Sequence, residues 1–145
     1  MHRIVRIGVR IGAGLVALAA LVAGVVYGAS ELGGEVVVLH TRDAAGADVA
    51  TPLWIVDDAG SAWLRSGLQS SGWFVRLEAS PEVRVERAGQ TQPYRAVPVR
   101  SPEARDRIHV LMREKYGWAD RLIGATRGGS DSIAVRLDPA AALTP

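Results

Sequence analysis

Six short runs of apolar and β-branched residues, several of them alternating with polar ones, predict strands. These runs are residues 35–40, 51–56, 62–65, 83–87, 94–99 and 132–137. In the fourth run Val83 and Val85 alternate with Arg84 and Glu86, which is typical of a half-buried strand because successive side chains point to opposite faces. Hairpin turns are predicted at 57–60 (Asp-Asp-Ala-Gly) and at 88–89 (Ala-Gly).

Helical spacing appears at three places. Trp73, Phe74 and Leu77 predict a short helix that ends before Pro81, whose ring disfavours helix at the preceding residue. A longer helix is predicted between Ser101 and Gly117, since a serine cap and a first-turn proline open it and a glycine follows its last turn. Its apolar face comprises Ile108, Leu111, Met112 and Tyr116. Residues 119–125 predict a further short helix.

These elements predict a mainly β domain over residues 31–145. Six short antiparallel strands with one or two helices favour a closed barrel, because closure removes exposed sheet edges.

An uncharged segment precedes this domain. Residues 11–30 could form a helix roughly 30 Å long, enough to span a bilayer core. Arginines flank it on the N-terminal side and glutamates on the other, so the positive-inside bias places the domain outside the cytoplasm. We interpret residues 1–30 as a single-pass membrane anchor. A cleaved signal peptide, a helix lying partly in the membrane interface and a buried soluble helix are the alternatives.

Charge argues against nucleic acid as a partner. The sequence pI is near 9.5, yet residues 31–145 hold 14 basic and 15 acidic residues. The domain therefore lacks the basic surface that nucleic-acid binding requires. The absence of cysteine excludes disulfides and thiolate chemistry.

No catalytic set is visible in the sequence. His2, His40 and His109 lack metal-ligand spacing, so no metal site is expected, and no nucleophile-elbow, dinucleotide or Walker motif occurs. Asp57 and Asp58 are interpreted as turn residues rather than a carboxylate pair. A small barrel without its own acid, base or nucleophile that still does chemistry usually takes the chemistry from a cofactor.

The order of several stretches resembles a known family. They are TPLWIV (51–56), WLRSG (63–67), GWFVRLEASP (72–81), EKYGWADRL (114–122) and VRLDP (135–139). Together they are similar to the deazaflavin-dependent nitroreductases, which belong to the flavin-binding split β-barrel superfamily that also holds the pyridoxamine phosphate oxidases. The resemblance covers about residues 35–139, and it implies a six-stranded split barrel that usually pairs as a homodimer.

The resemblance also implies a set of site residues. Residues expected to flank the flat cofactor ring are Thr51, Leu53 and Trp54. Those expected to bind the phosphate-bearing tail, with the first backbone amides of the following helix, are Ser66, Gly67, Ser70, Ser71 and Arg76. Trp73 is the remaining cofactor-binding candidate, with a core position as its alternative. Tyr116 and Trp118 correspond to aromatic positions that line the family's substrate pocket.

Three departures bear on the cofactor. The family carries an arginine where this chain has Val49 and an asparagine where it has Arg76, and the loop 67–72 lacks the basic residue that commonly binds the phosphate. The leading hypothesis is a membrane-anchored oxidoreductase that uses a deazaflavin, or secondly FMN, to reduce a hydrophobic acceptor such as a quinone. The rival is a cofactor-free barrel that binds an apolar ligand or a partner at the membrane. A deazaflavin favours a cytoplasmic domain, against the arginine flank.

Overall fold

The computed structural model describes residues 20, 34–126 and 129–140. They contain all six predicted strands and three helices, one at each place with helical spacing, where the barrel prediction allowed one or two. The strands are β1 (Val36–Arg42), β2 (Asp48–Asp58), β3 (Ser61–Ser66), β4 (Glu82–Arg87), β5 (Gln90–Val99) and β6 (Ile133–Pro139). The helices are α1 (Gly72–Ala79), α2 (Pro102–Tyr116) and α3 (Trp118–Thr126), and a 3-10 turn spans Gly129–Asp131. Strands β2 and β5 extend beyond their apolar runs, since the polar residues at their ends still pair with the neighbouring strand.

The predicted anchor, residues 1–30, lies outside the described residues apart from Ala20. Within the described part of the chain, no helix has both the length and the apolar character needed to cross a bilayer.

The six strands form a closed antiparallel barrel in the order β1-β2-β3-β6-β5-β4, with β4 returning to β1. The pairing of β1 with β4 joins only Val38–His40 to Arg84–Glu86, whereas β1 and β2 pair over seven residues. This confirms the mainly β barrel that the strand pattern predicts.

Both predicted hairpins are present, with tight turns at Ala59-Gly60 and Ala88-Gly89. All four turn residues have positive φ, from 49° at Ala59 to 81° at Gly60. Two consecutive residues with positive φ give the turn whose twist matches that of the flanking strands.

The interpretation of Asp57 and Asp58 as turn residues is wrong. They are the last two residues of β2 and pair with Ala62 and Ser61. Because neighbouring strand residues face opposite ways, Asp57 accepts from Arg87 while Asp58 accepts from Arg107 of α2. The two carboxylates therefore do not form a pair.

Helix α1 closes one end of the barrel. Its buried side chains Trp73, Phe74 and Leu77 join the inward-facing strand residues in one apolar core. The strand residues of this core are Val37, Leu39, Ile55, Leu64, Val83, Val85, Ala96, Ile133, Val135 and Leu137. A helix that contributes three large apolar side chains to this core is held firmly against the strand ends around it.

Helix α2 packs on the outside of the barrel. Its N-terminus is capped as predicted, with Ser101 Oγ accepting from the Ala104 amide at 3.1 Å, and it ends at Gly117 (φ 55°). The predicted apolar face, from Ile108 to Tyr116, lies on Val56 and Ala134 of the strand wall. The barrel wall is thus covered on both faces at β2, β3 and β6.

Candidate functional site

A group of hydrogen-bond donors lies at the barrel end that α1 closes. The guanidinium of Arg76 donates through Nε to Thr41 Oγ1 at 2.8 Å and through Nη2 to Thr51 Oγ1 at 3.4 Å. Thr41 is fully buried and its own hydroxyl donates to the Val49 carbonyl at 3.4 Å. These contacts fix the Arg76 side chain across the ends of β1 and β2.

The same guanidinium lies over the first turn of α1. A Cβ added at Gly72 would come within 3.0 Å of Arg76 Nη1, so the absence of a side chain there leaves room for the guanidinium. The first amides of a helix have no intrahelical acceptor. In α1 the amides of Phe74 and Val75 both donate to the Ser71 carbonyl, so the amides of Gly72 and Trp73 are the ones left to meet an external group, and the Ser71 side chain makes no capping bond. A positive side chain and a positive helix end therefore lie together.

The loop before α1 borders these donors. Its serine hydroxyls differ in how exposed they are and in whether they already make a hydrogen bond. Ser66 is fully buried and its hydroxyl donates to the Leu68 carbonyl at 2.6 Å, so it shapes the turn. Gly67 is half-buried and Ser70 is exposed. Ser71 is half-buried, and its amide donates to Leu68 O at 3.1 Å. Of the predicted phosphate ligands, Ser70 and Ser71 are thus the hydroxyls best placed to meet an external group.

Arg100 supplies the basic side chain that the loop itself lacks. It follows β5 and donates through Nη1 to Gln69 Oε1 in the loop at 3.1 Å. Its guanidinium also forms an ion pair with Glu78 of α1 and lies 5.9 Å from the Phe74 ring centroid. Sequence analysis missed Arg100, because 31 residues separate it from Gln69 and no local pattern marks it.

The residues predicted to flank the ring do not all face the same way. Thr51 and Leu53 share the inner face of β2, where Thr51 meets Arg76 and Leu53 packs against the barrel core. Trp54 lies on the outer face and stacks on Tyr116, with centroids 4.4 Å apart. Trp73 is 8% exposed and packs edge-on against Phe74 in the core. The structure therefore brings Thr51 to Arg76 but separates Trp54 from both.

The two predicted substrate-pocket aromatics lie on the outer wall. The Tyr116 hydroxyl donates to the Glu35 carbonyl at 2.6 Å or to the Ile55 carbonyl at 2.8 Å, and it accepts from the Ile55 amide at 3.0 Å. Burial raises the pKa of Tyr116 to about 12, so this hydroxyl stays protonated at neutral pH. Trp118, at the start of α3, is largely exposed.

The donor set at α1 suits an anion. Arg76, Ser70 and Ser71 present donors near the start of α1. Arg100 lies on the opposite flank of the helix, beside Phe74 and paired with Glu78. Guanidinium groups and helix-start amides are the usual ligands of phosphate and carboxylate. Over residues 34–126 and 129–140 no cluster of three or more histidine or acidic side chains is arranged to hold a metal ion.

Comparison with known proteins gives a family and a fold for this chain. A family model described as F420H(2)-dependent quinone reductase matches residues 18–137. The conserved hypothetical protein Rv2991 from Mycobacterium tuberculosis is similar in structure, with 20% identity and a TM-score of 0.60 over 85% of this chain and 80% of that one. An F420-H2 dependent reductase (FDR-A) has 19% identity and a TM-score of 0.57 over 71% and 93% of the two chains.

A third structure, described as a domain-swapped dimer, has 19% identity and a TM-score of 0.57 over 71% of this chain and 79% of that one. No curated protein matches. At these identities the solved structures establish a shared barrel fold.

Proposed function

The chain belongs to the F420H(2)-dependent quinone reductase family, and we propose that it is a membrane-anchored oxidoreductase that reduces a hydrophobic acceptor of the quinone class. Its coenzyme is the deazaflavin F420, which supplies a hydride when bound in its reduced form. In the proposed reaction F420H2 and a quinone give F420 and a hydroquinone, so two electrons and two protons pass to the acceptor.

The donor group at the start of α1 is the observation that carries this proposal. Arg76, held by Thr41 and Thr51, and Arg100, held at the loop by Gln69, would bind the anionic tail together with the α1 amides. Ser70 and Ser71 would add neutral donors. These residues fit a phosphate- and carboxylate-bearing coenzyme, and they supply the positive charge that the loop sequence lacks.

The chain's own part in the reaction is binding and orientation. Thr51 and Leu53 would contact the coenzyme ring from β2, with Thr51 fixed by its bond to Arg76. Hydride transfer requires the acceptor to lie against the coenzyme ring, so the acceptor would bind beside Thr51 and Leu53. Tyr116 and Trp118, with Trp54, lie on the outer face of the barrel wall, where the buried, protonated Tyr116 hydroxyl holds α2 on β2.

We propose that residues 11–30 attach the barrel to the membrane from its cytoplasmic side. The F420 coenzyme supports a cytoplasmic domain, whereas for a spanning helix the positive-inside bias of Arg3, Arg6 and Arg10 supports a domain outside. A reporter fused after Pro145 that works only in the cytoplasm should then be active. A silent reporter in a membrane-bound protein would instead place the barrel outside.

A homodimer is also proposed. The family resemblance and the domain-swapped dimer among the similar structures support it. Light scattering of the purified full chain should give twice the protomer mass.

The test of the function uses the full chain in lipid nanodiscs. Titration with F420, followed by quenching of its fluorescence, should saturate, and F420H2 oxidation should require an added quinone. FMN is the comparison ligand and should bind more weakly. If neither F420 nor FMN binds at tens of micromolar, the oxidoreductase assignment fails and a cofactor-free barrel at the membrane is left.

A further inference from the structure

Helix α3 exposes a face made of three residues, Trp118, Arg121 and Leu122, here called the Trp118 face. Trp118 is 58% and Leu122 62% exposed, and Arg121 is exposed between them. Residues at i, i+3 and i+4 lie on the same side of a helix, so the three side chains form one continuous surface. An exposed tryptophan beside an exposed leucine forms an apolar patch, the kind of surface that marks an interaction site.

An ion pair under α3 sets this orientation. Asp120 is buried and pairs with Arg65 on the outer face of β3. Because Asp120 lies two residues after Trp118, about 200° around the helix, its burial turns Trp118 and Leu122 away from the barrel. Arg65 also bonds to Nδ1 of His109 in α2 at 3.1 Å, so α3 is tied to α2 as well as to the strand wall.

The Trp118 face begins two residues after Tyr116, which contacts the residue preceding β1, where the apolar N-terminal segment leads into the barrel. Glu35 is held there by Tyr116, whose hydroxyl contacts the Glu35 carbonyl at 2.6 Å, and by Lys115, whose Nζ lies 2.5 Å from Oε2. Trp118 follows Tyr116 by two residues. The five steps from Ser30 to Glu35 span at most roughly 17 Å, so the end of the apolar segment cannot be far from this corner.

We propose that the Trp118 face docks on an anionic lipid surface. The inference rests on the proposed membrane attachment of residues 11–30. Trp118 and Leu122 would enter the boundary between headgroups and acyl chains, while Arg121 would extend to lipid phosphates, with exposed Arg113 nearby on α2. The face would thereby hold the barrel in one orientation, with α3 toward the bilayer from which a lipid-soluble acceptor arrives.

The absence of cysteine allows a direct test. Leu122→Cys in the full chain is labelled with an environment-sensitive fluorophore and bound to phosphatidylcholine–phosphatidylglycerol vesicles that carry spin-labelled lipid. Thr91→Cys is the matched control, since Thr91 is exposed on the β4–β5 hairpin, and β4 lies opposite β3 in the barrel. We expect the label at position 122, at a depth of about 5–10 Å, to be strongly quenched and the label at 91 to stay in water. Arg121→Glu in the Leu122→Cys background should reduce the quenching.

Three outcomes would overturn the proposal. Equal quenching at positions 122 and 91 would mean that no face is preferred. A label at 122 that is already shielded without vesicles, in a concentration-dependent way, would mean that a second copy covers the face. If the protein does not float with vesicles, the proposed membrane attachment of residues 11–30 is itself wrong. F420 titration of the same samples reports separately on the coenzyme, so loss of docking and loss of the oxidoreductase function are distinguishable.

Discussion

The ring of Tyr116 stacks on the indole of Trp54 with centroids 4.4 Å apart and planes within 7° of parallel. The contact joins the last turn of α2 to the outer face of β2. Since the Tyr116 hydroxyl also bonds to Ile55 and Glu35, one side chain ties helix, strand and the residue preceding β1 together. The substrate-pocket residue that the family resemblance implies is thus also a structural clamp.

Tyr116→Phe should therefore destabilise the fold while leaving the stack in place. The substitution leaves the buried Ile55 amide without the hydroxyl it donates to, which should cost about 1–3 kcal/mol in the free energy of unfolding. Urea unfolding measures this. Tyr94→Phe is the control, because the Tyr94 hydroxyl makes no hydrogen bond with any residue the structure describes, and equal losses in the two variants would contradict the clamp.

Stability should fall in acid through Glu35 and Asp57. Hydrogen bonds from Arg87 lower the pKa of both carboxyls, and Lys115 contributes further to lowering the pKa of Glu35. A lowered folded-state pKa stabilises the fold above the ordinary value, about 4.5 for Glu35, and this stabilisation disappears as pH falls through the folded-state pKa. In Arg87→Gln the free energy of unfolding should fall less steeply as the pH is lowered through the acid range. In Arg95→Gln the fall should match that of the unsubstituted protein, and urea unfolding at a series of pH values measures both. Because these groups are partly exposed, each pair contributes only about 0.2–1 kcal/mol.

Arg76 should contribute strongly to F420 affinity. Replacing it with methionine removes a charge-assisted contact worth about 1.5–3 kcal/mol, which corresponds to roughly 10- to 100-fold weaker binding. Fluorescence titration measures the dissociation constant, with thermal unfolding recorded alongside because Thr41 and Thr51 lose their partner too. Arg84→Gln, which removes a positive charge from the outer face of β4, should bind F420 normally. Unchanged affinity in a folded Arg76→Met variant would argue against the α1 site.

Arg100 should have a smaller effect on binding. Its side chain is about half exposed, so Arg100→Gln should weaken F420 binding about 2- to 10-fold. Arg95→Gln is closely matched, since Arg95 also forms an exposed pair with a glutamate, Glu82. If both variants lose affinity equally, the effect is one of net charge and Arg100 is not a ligand.

The ion pair between Arg65 and Asp120 should be the most sensitive polar contact on the outer wall. Both side chains are nearly buried, so Asp120→Asn leaves an uncompensated guanidinium and should cost about 3–5 kcal/mol. Removing both charges, in Arg65→Met with Asp120→Leu, should restore most of the stability. Urea unfolding of the two variants checks this, and a double variant no more stable than Asp120→Asn would contradict it.

Local signals predict the elements well but not the contacts of the site. The sequence pattern locates these signals because each acts within a few residues. They are the Ser101 cap, the end of α1 before Pro81, and the two glycine-containing turns. Arg76 meets Thr41 and Thr51 only because closure of the barrel brings together residues 35 and 25 positions apart. Contacts between residues so far apart in the sequence produce no local pattern that could predict them. The contact between Arg100 and Gln69 is another example.

One inconsistency within the predicted site follows from the sequence alone. Thr51 and Leu53 share a strand face, and Trp54 must take the other because side chains alternate. A ring that contacts Thr51 and Leu53 from one side of β2 cannot also rest on the indole of Trp54.

The short β1–β4 ladder has a consequence for how the barrel opens. With three paired residues it is the weakest part of the circumference, and Arg87 reinforces it by bonding Glu35 and Asp57 beside it. Protonating those carboxylates would remove this reinforcement, at a cost of about 0.2–1 kcal/mol for each pair. The seam between β1 and β4 is therefore the part of the barrel on which acid acts most directly.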